Sequence, residues 1–176
     1  FSIDTISKSG TNRYAGEVSY QFQTDNMTAS LQSGSASRYE QDRTWLVGSI
    51  GGPILANKLF FYGSYYRPEN SRENRANRYG ELPPYQRVRN EGFGKVTYTP
   101  VSSVLLNFSY RASEREDTSA LFASNASATT GTGTEAKQRI GIAEGSWVIN
   151  SRSLLTFKYN HFVDQSVGRP DNIANV

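Results

Sequence analysis

The sequence contains no cysteine. That absence excludes a disulfide scaffold, a thiolate metal site and a cysteine nucleophile. No run of 18 apolar residues occurs, so the chain offers no transmembrane helix. Membrane β-strands need no such run, because only every second residue meets lipid. A clustered basic face is missing too: 19 Lys and Arg stand interspersed with 16 Asp and Glu, for a net charge of +3. Nucleic-acid binding is therefore not indicated. The chain opens on Phe1 with no visible leader and stops at Val176 without a closing element. A piece of a longer mature chain is expected.

Apolar content is low, at 36% of residues, with a mean hydropathy of −0.59. Aromatic residues nevertheless reach 12%, led by tyrosine, a content that disordered chains lack. An apolar minority spread thinly over many half-polar strands reconciles the two numbers. Residues 14–23 alternate strictly: Tyr14, Gly16, Val18, Tyr20 and Phe22 on one face, Ala15, Glu17, Ser19, Gln21 and Gln23 on the other. Period two means one apolar and one polar face. Further strands are predicted over residues 1–8, 44–52, 59–67, 91–99, 104–115, 137–148 and 154–164. Pro53 is expected to stop the strand before it, since proline cannot donate to a ladder. The facing of residues 137–148 is ambiguous.

The connections decide the class. Between successive barrel strands they run long, short, long, short, long, short: about 20 residues for the polar stretches 24–43, 68–90 and 116–136, about five for the turns. Outer-membrane barrels segregate their loops in this way, short on the periplasmic side and long outside. The expected fold is all-β: an antiparallel up-and-down transmembrane β-barrel segment of about seven strands, incomplete, an open curled sheet. A soluble β-sandwich with generous loops is the alternative. In it the mid-strand Glu17, Gln21, Lys95, Arg111 and Lys158 would meet bulk water; in a wide barrel they face the lumen.

Two stretches resemble a known family. Ser7-Lys8-Ser9-Gly10-Thr11-Asn12, followed by Tyr14-Ala15-Gly16, is similar to the plug-to-barrel junction of TonB-dependent outer-membrane receptors, closest to the Oar-like branch. Gly51-Gly52-Pro53-Ile54 and Lys58-Leu59-Phe60-Phe61-Tyr62-Gly63-Ser64-Tyr65 resemble that branch's second barrel strand, first periplasmic turn and third strand. Ala56-Asn57 departs from the basic-acidic pair the branch often carries. Gly10 and Asn12 suit turn positions with φ > 0, and Phe60, Phe61 and Tyr62 suit an interfacial aromatic girdle. The resemblance implies that residues 1–12 are the last plug strand and junction, and that residues 13–176 begin a barrel of about 22 strands. It further implies a location in the outer membrane. The expected partners are outer-membrane lipid and lipopolysaccharide, the protein's own plug, the TonB complex through an upstream segment, and an unknown solute. The implied function is energy-coupled import of a scarce large solute of the siderophore, cobalamin or glycan class. A non-transporting surface protein, adhesin or export gate, is the alternative on the same barrel.

Arg72, Arg75 and Arg78 in the stretch 68–90 form a candidate anion site, for a charged ligand or lipopolysaccharide phosphates, since arginine forks suit such groups. Interleaved Glu69, Glu73 and Glu81 equally make that stretch a solvated loop with compensated charge. The five lumen candidates named above could contact a plug or line a solute path. His161 is the single histidine. As a general base it would need a nucleophile motif, which the sequence lacks, so a place at the membrane rim is expected and no enzyme activity. Residues 118–134 read as a loop tip. No cofactor and no metal site is expected.

Overall fold

The computed structural model describes residues 8–28, 40–122 and 125–172. The strand expected over residues 1–8 lies outside them but for Lys8. Seven strands follow in order: β1 (Ala15–Gln23), β2 (Gln41–Leu55), β3 (Leu59–Arg72), β4 (Tyr85–Tyr98), β5 (Val104–Leu121), β6 (Thr132–Asn150) and β7 (Ser153–Pro170). They form one antiparallel sheet in sequence order, each strand paired with its chain neighbour. This is the up-and-down topology expected, and β1 and β7 are its edges.

All seven predicted barrel strands exist, and six of them are longer than predicted. β3 and β4 each have 14 residues, β5 and β7 each 18, and β6 has 19. The stretches read as loops 68–90 and 116–136 shrink accordingly to residues 73–84 and 122–131. Residues 118–121 and 132–134, read as loop tip, are strand. The ladder simply outruns the lipid. A tilted membrane strand needs about 9–11 residues, and past that length its outward face turns charged: Arg67 and Glu69 on β3, Glu114 and Glu116 on β5, Glu135 and Lys137 on β6. Ion pairs bind these residues across the same face, Arg67 to Glu69 at 2.6 Å, Lys137 to Glu135 at 2.7 Å, and Arg169 to Glu116.

Pro53 does not end β2, which runs on to Leu55 and pairs Pro53 with Phe60. The Pro53 carbonyl accepts the Tyr14 hydroxyl at 2.8 Å, on the side where β1 has not yet begun. A residue's N and C=O point the same way in a strand, so the missing N–H costs no ladder bond.

Pairing register sorts every side chain, because directly opposed residues share a face. One row reads Val18, Gly48, Tyr65, Gly92, Ala112, Arg139, Val163; the adjacent one reads Glu17, Ser49, Ser64, Phe93, Arg111, Ile140, Phe162. The first row's face also carries Phe108, Tyr110, Phe157 and Tyr159 and is strongly exposed, with Val18 at 81% and Tyr159 at 63%. The second face is enclosed over the central strands, where Lys95 is 8% exposed, Ser113 6% and Asp117 4%, and open on β1 and β7. The apolar side is thus the outside and the polar side the inside. A soluble sandwich would reverse this, burying the apolar face against a second sheet. Among the described residues only Tyr85 and Ala136 are buried apolar side chains.

Register also settles β6. Gly141, Ala143, Gly145 and Trp147 face outward with Phe108 and Leu106; Gln138, Ile140, Ile142 and Glu144 face inward. At the short-turn end the outer face carries Tyr14, Phe61, Tyr98 and Trp147, an aromatic girdle at the interface. Phe60 and Tyr62 do not belong to it: alternation from Phe61 turns both inward.

Candidate functional site: the enclosed polar face

Two groups of side chains organise the inner face. The first is at the rim of the short turns. Asn57, in the turn between β2 and β3, holds φ at 62°, a left-handed conformation that asparagine tolerates. Its backbone N donates to Asn12 Oδ1 at 2.8 Å, and Asn12 Nδ2 donates to Asn57 Oδ1 at 2.7 Å. This reciprocal pair pins the segment before β1 to the first short turn. Gly10 then lies directly on β2 and β3: a side-chain carbon there would collide with the carbonyl oxygens of Phe61 and Gly52. Gly10 serves close approach, and neither it nor Asn12 is among the positive-φ residues. Lys8 to Thr11 line one inner-face cavity together with Glu17, Ser49, Gly51 and Tyr62. The two stretches that resemble a known family therefore meet in space, at one rim and on the inner side.

The second group lies toward the long connections. Tyr85, Arg87, Arg89 and Glu91 alternate on β4, and Arg111, Ser113, Arg115 and Asp117 alternate on β5. Arg87 binds Asp117 with both ends of its fork, Nε to Oδ1 at 2.7 Å and Nη2 to Oδ2 at 3.3 Å. Arg115 Nε stands 3.4 Å from the same carboxylate. Glu91 holds two arginines likewise, Arg111 at 2.6 Å and Arg89 at 3.9 Å. The Tyr85 ring sits between Arg72, at 5.1 Å, and Arg87, at 5.6 Å. Burial, and after it the Asp117 charge, push the Tyr85 phenol above its ordinary value, so it stays neutral. The hydrogen bond to Asp117 chiefly holds Arg87 above its own.

All five lumen candidates share this inner face. Glu17 opposes Ser49, Gln21 opposes Trp45, and Lys95 sits buried between Tyr62 and Ser109. Arg111 pairs with Glu91, and Lys158 faces Glu144 at 3.9 Å. The three loop candidates do not converge. Arg72 is the last residue of β3, not a loop residue, and takes its place beside Tyr85. Arg75 lines a cavity of about 520 Å³ with Glu40, Glu73 and Glu81. Arg78 packs on Tyr79 at 5.2 Å. His161 pairs with Gly141 on the outer face, within the apolar belt and short of the charged rim.

Sequence reasoning missed Tyr85, Arg115 and Asp117. Their signal was present as a period of two, Tyr85-x-Arg87-x-Arg89-x-Glu91 against Arg111-x-Ser113-x-Arg115-x-Asp117, but it is written in polar residues on both faces.

Residues 6–67 match the family model described as an outer membrane beta barrel domain. Neither a curated protein nor a solved structure matches the chain. The matched stretch runs from the segment before β1 to Arg67 of β3. Together with the apolar belt, the enclosed polar face and the up-and-down order, it makes the chain part of an outer-membrane β-barrel.

Proposed function

We propose that this barrel is a TonB-dependent receptor of the Oar-like kind, importing a scarce large solute of the siderophore, cobalamin or glycan class. The observation that carries the reading is the junction. Asn12 is tied to the first short turn and Gly10 is pressed on the inner face, so the chain comes to β1 from the lumen side of the short-turn rim. A barrel preceded by its own plug has that path. The polar inner face supplies the wet wall that a solute route and a plug both need. Outer-membrane lipid, lipopolysaccharide, the plug and the TonB complex are the partners in this reading, and the protein carries out no catalysis.

One observation favours a surface role on the same barrel. The outer ends are knit together: Asn74 Nδ2 donates to the Ser119 carbonyl at 2.9 Å, Asn77 Nδ2 to the Ala126 carbonyl at 2.6 Å, and the Ser119 N–H to Asp171 at 2.9 Å. Such an ordered end would suit an adhesin or an export gate. Uptake separates the two. Cells with and without the gene are given labelled ferric siderophores, cobalamin and oligosaccharides, with the proton-motive force intact or collapsed. Import predicts uptake of one class, lost on deletion and lost on collapse. No gene-dependent uptake of any class, or uptake indifferent to the proton-motive force, contradicts it.

A further inference from the structure

We infer that the inner-face arginine array of β3, β4 and β5 is a binding site for a soluble polyanion bearing carboxylate or phosphate groups. The inference deepens the import reading and rests on it for the solute's route. Five guanidinium groups, those of Arg72, Arg87, Arg89, Arg111 and Arg115, share the enclosed face of these strands toward their outer ends. Among the described residues, the carboxylates that pair with Arg87, Arg89, Arg111 and Arg115 are Glu91 and Asp117. Each carboxylate holds one arginine closely and a second loosely: 2.7 Å against 3.4 Å at Asp117, 2.6 Å against 3.9 Å at Glu91. The array is therefore ordered by its own acids, and the four arginines at the two nodes outnumber the two carboxylates by two. Asp117 is 4% exposed, and although Arg87 is half exposed, the two bonds to this buried carboxylate fix its fork.

One donor is spare: the Nε atom of Arg111 is buried and makes no hydrogen bond among the described residues, while that of Arg115 has only its loose 3.4 Å approach to Asp117. A buried donor left unsatisfied is costly, more so when charged, and an incoming oxyanion would satisfy it. The two acid nodes are four residues apart along β4, about 13 Å. One carboxylate could not use both, whereas a molecule with several anionic groups could. Lipopolysaccharide phosphates cannot reach them, because acyl-anchored headgroups lie against the outer face. On that face the cations Arg67, Lys137 and Arg169 are already matched by Glu69, Glu135 and Glu116.

The test uses the full-length protein purified in neutral detergent, titrated calorimetrically with tripolyphosphate, with citrate and with uncharged maltotriose. Arg89→Gln with Arg115→Gln removes one guanidinium from each node and leaves each carboxylate its closer partner. Tripolyphosphate or citrate should bind the unmodified protein, weaken with salt, and lose roughly tenfold or more in affinity in the double variant. Arg89→Lys with Arg115→Lys should restore part of the loss, and Arg139→Gln on the outer face should change nothing. Heat-modifiable migration on gels reports that each variant folds. The site is overturned if neither anion binds, if maltotriose binds as well, or if the Gln pair, folded, binds anion unchanged. Purified lipopolysaccharide that competes as well as tripolyphosphate would overturn the soluble class. Anion binding without gene-dependent uptake leaves this site standing and removes the import reading; uptake without anion binding does the reverse.

Discussion

Asn57 illustrates how much one side chain decides at the rim. At φ 62° most L-residues pay about 1–2 kcal/mol, and the one bond that the Asn57 side chain accepts from Asn12 adds about 0.5–1.5 kcal/mol. Asn57→Ala should therefore destabilise the full-length barrel by about 2 kcal/mol or more in urea unfolding from lipid vesicles. Asn57→Gly suits the backbone, keeps the N–H donated to Asn12 Oδ1 and loses only the bond accepted from Asn12 Nδ2, so about half that or less is expected. Equal losses would remove the left-handed backbone from the explanation. Much of this rim was legible in the sequence, since Asn12, Gly10 and Gly51-Gly52-Pro53 were singled out there. Their roles were not. Gly10 was expected to supply a positive φ and instead admits a carbonyl oxygen at close range, which depends on strands distant in sequence.

At the scale of the strand, period two was readable wherever lipid sorts the faces and unreadable beyond it. β5 is legible as far as Arg115 because Leu106, Phe108 and Tyr110 point out and set the alternation. Its continuation from Glu116 and Asp117 to Leu121 is mostly polar on both faces and looks like loop. β6 was ambiguous because its outward positions are small, Gly141, Ala143 and Gly145, while Ile140 and Ile142 point inward. Pairing with β5 and β7 resolves what composition could not. Arginine at Ala143, like arginine at Val18, Phe108 or Phe157, should cost roughly 2–4 kcal/mol of barrel stability near the midplane. Arginine at Ile142, Ser19, Ser109 or Lys158 should be tolerated. Folding yield into vesicles measures both sets. Equal tolerance would deny the lipid-facing assignment, and a reversed pattern on β6 alone would deny its register.

At the scale of the molecule, the sheet contradicts the logic of a water-soluble fold. Apolar side chains crowd the exposed face, the enclosed face is charged, and β1 and β7 present open edges. Exposed patches of this extent belong to interaction surfaces, and exposed edges invite pairing. Lipid outside, water inside and further strands at both edges resolve all three. The class and the orientation were legible from loop lengths and alternation. The arginine array was not, because it forms only when β4 and β5 pair. The lipid-facing belt is tested most directly by placing single cysteines along residues 105–113 of a cysteine-free full-length protein in lipid. Each is labelled with a nitroxide, and collisions with oxygen and with a water-soluble nickel chelate are compared. Leu106, Phe108, Tyr110 and Ala112 should collide preferentially with oxygen, and Asn107, Ser109, Arg111 and Ser113 should not. A flat profile, or the opposite phase, would contradict the account.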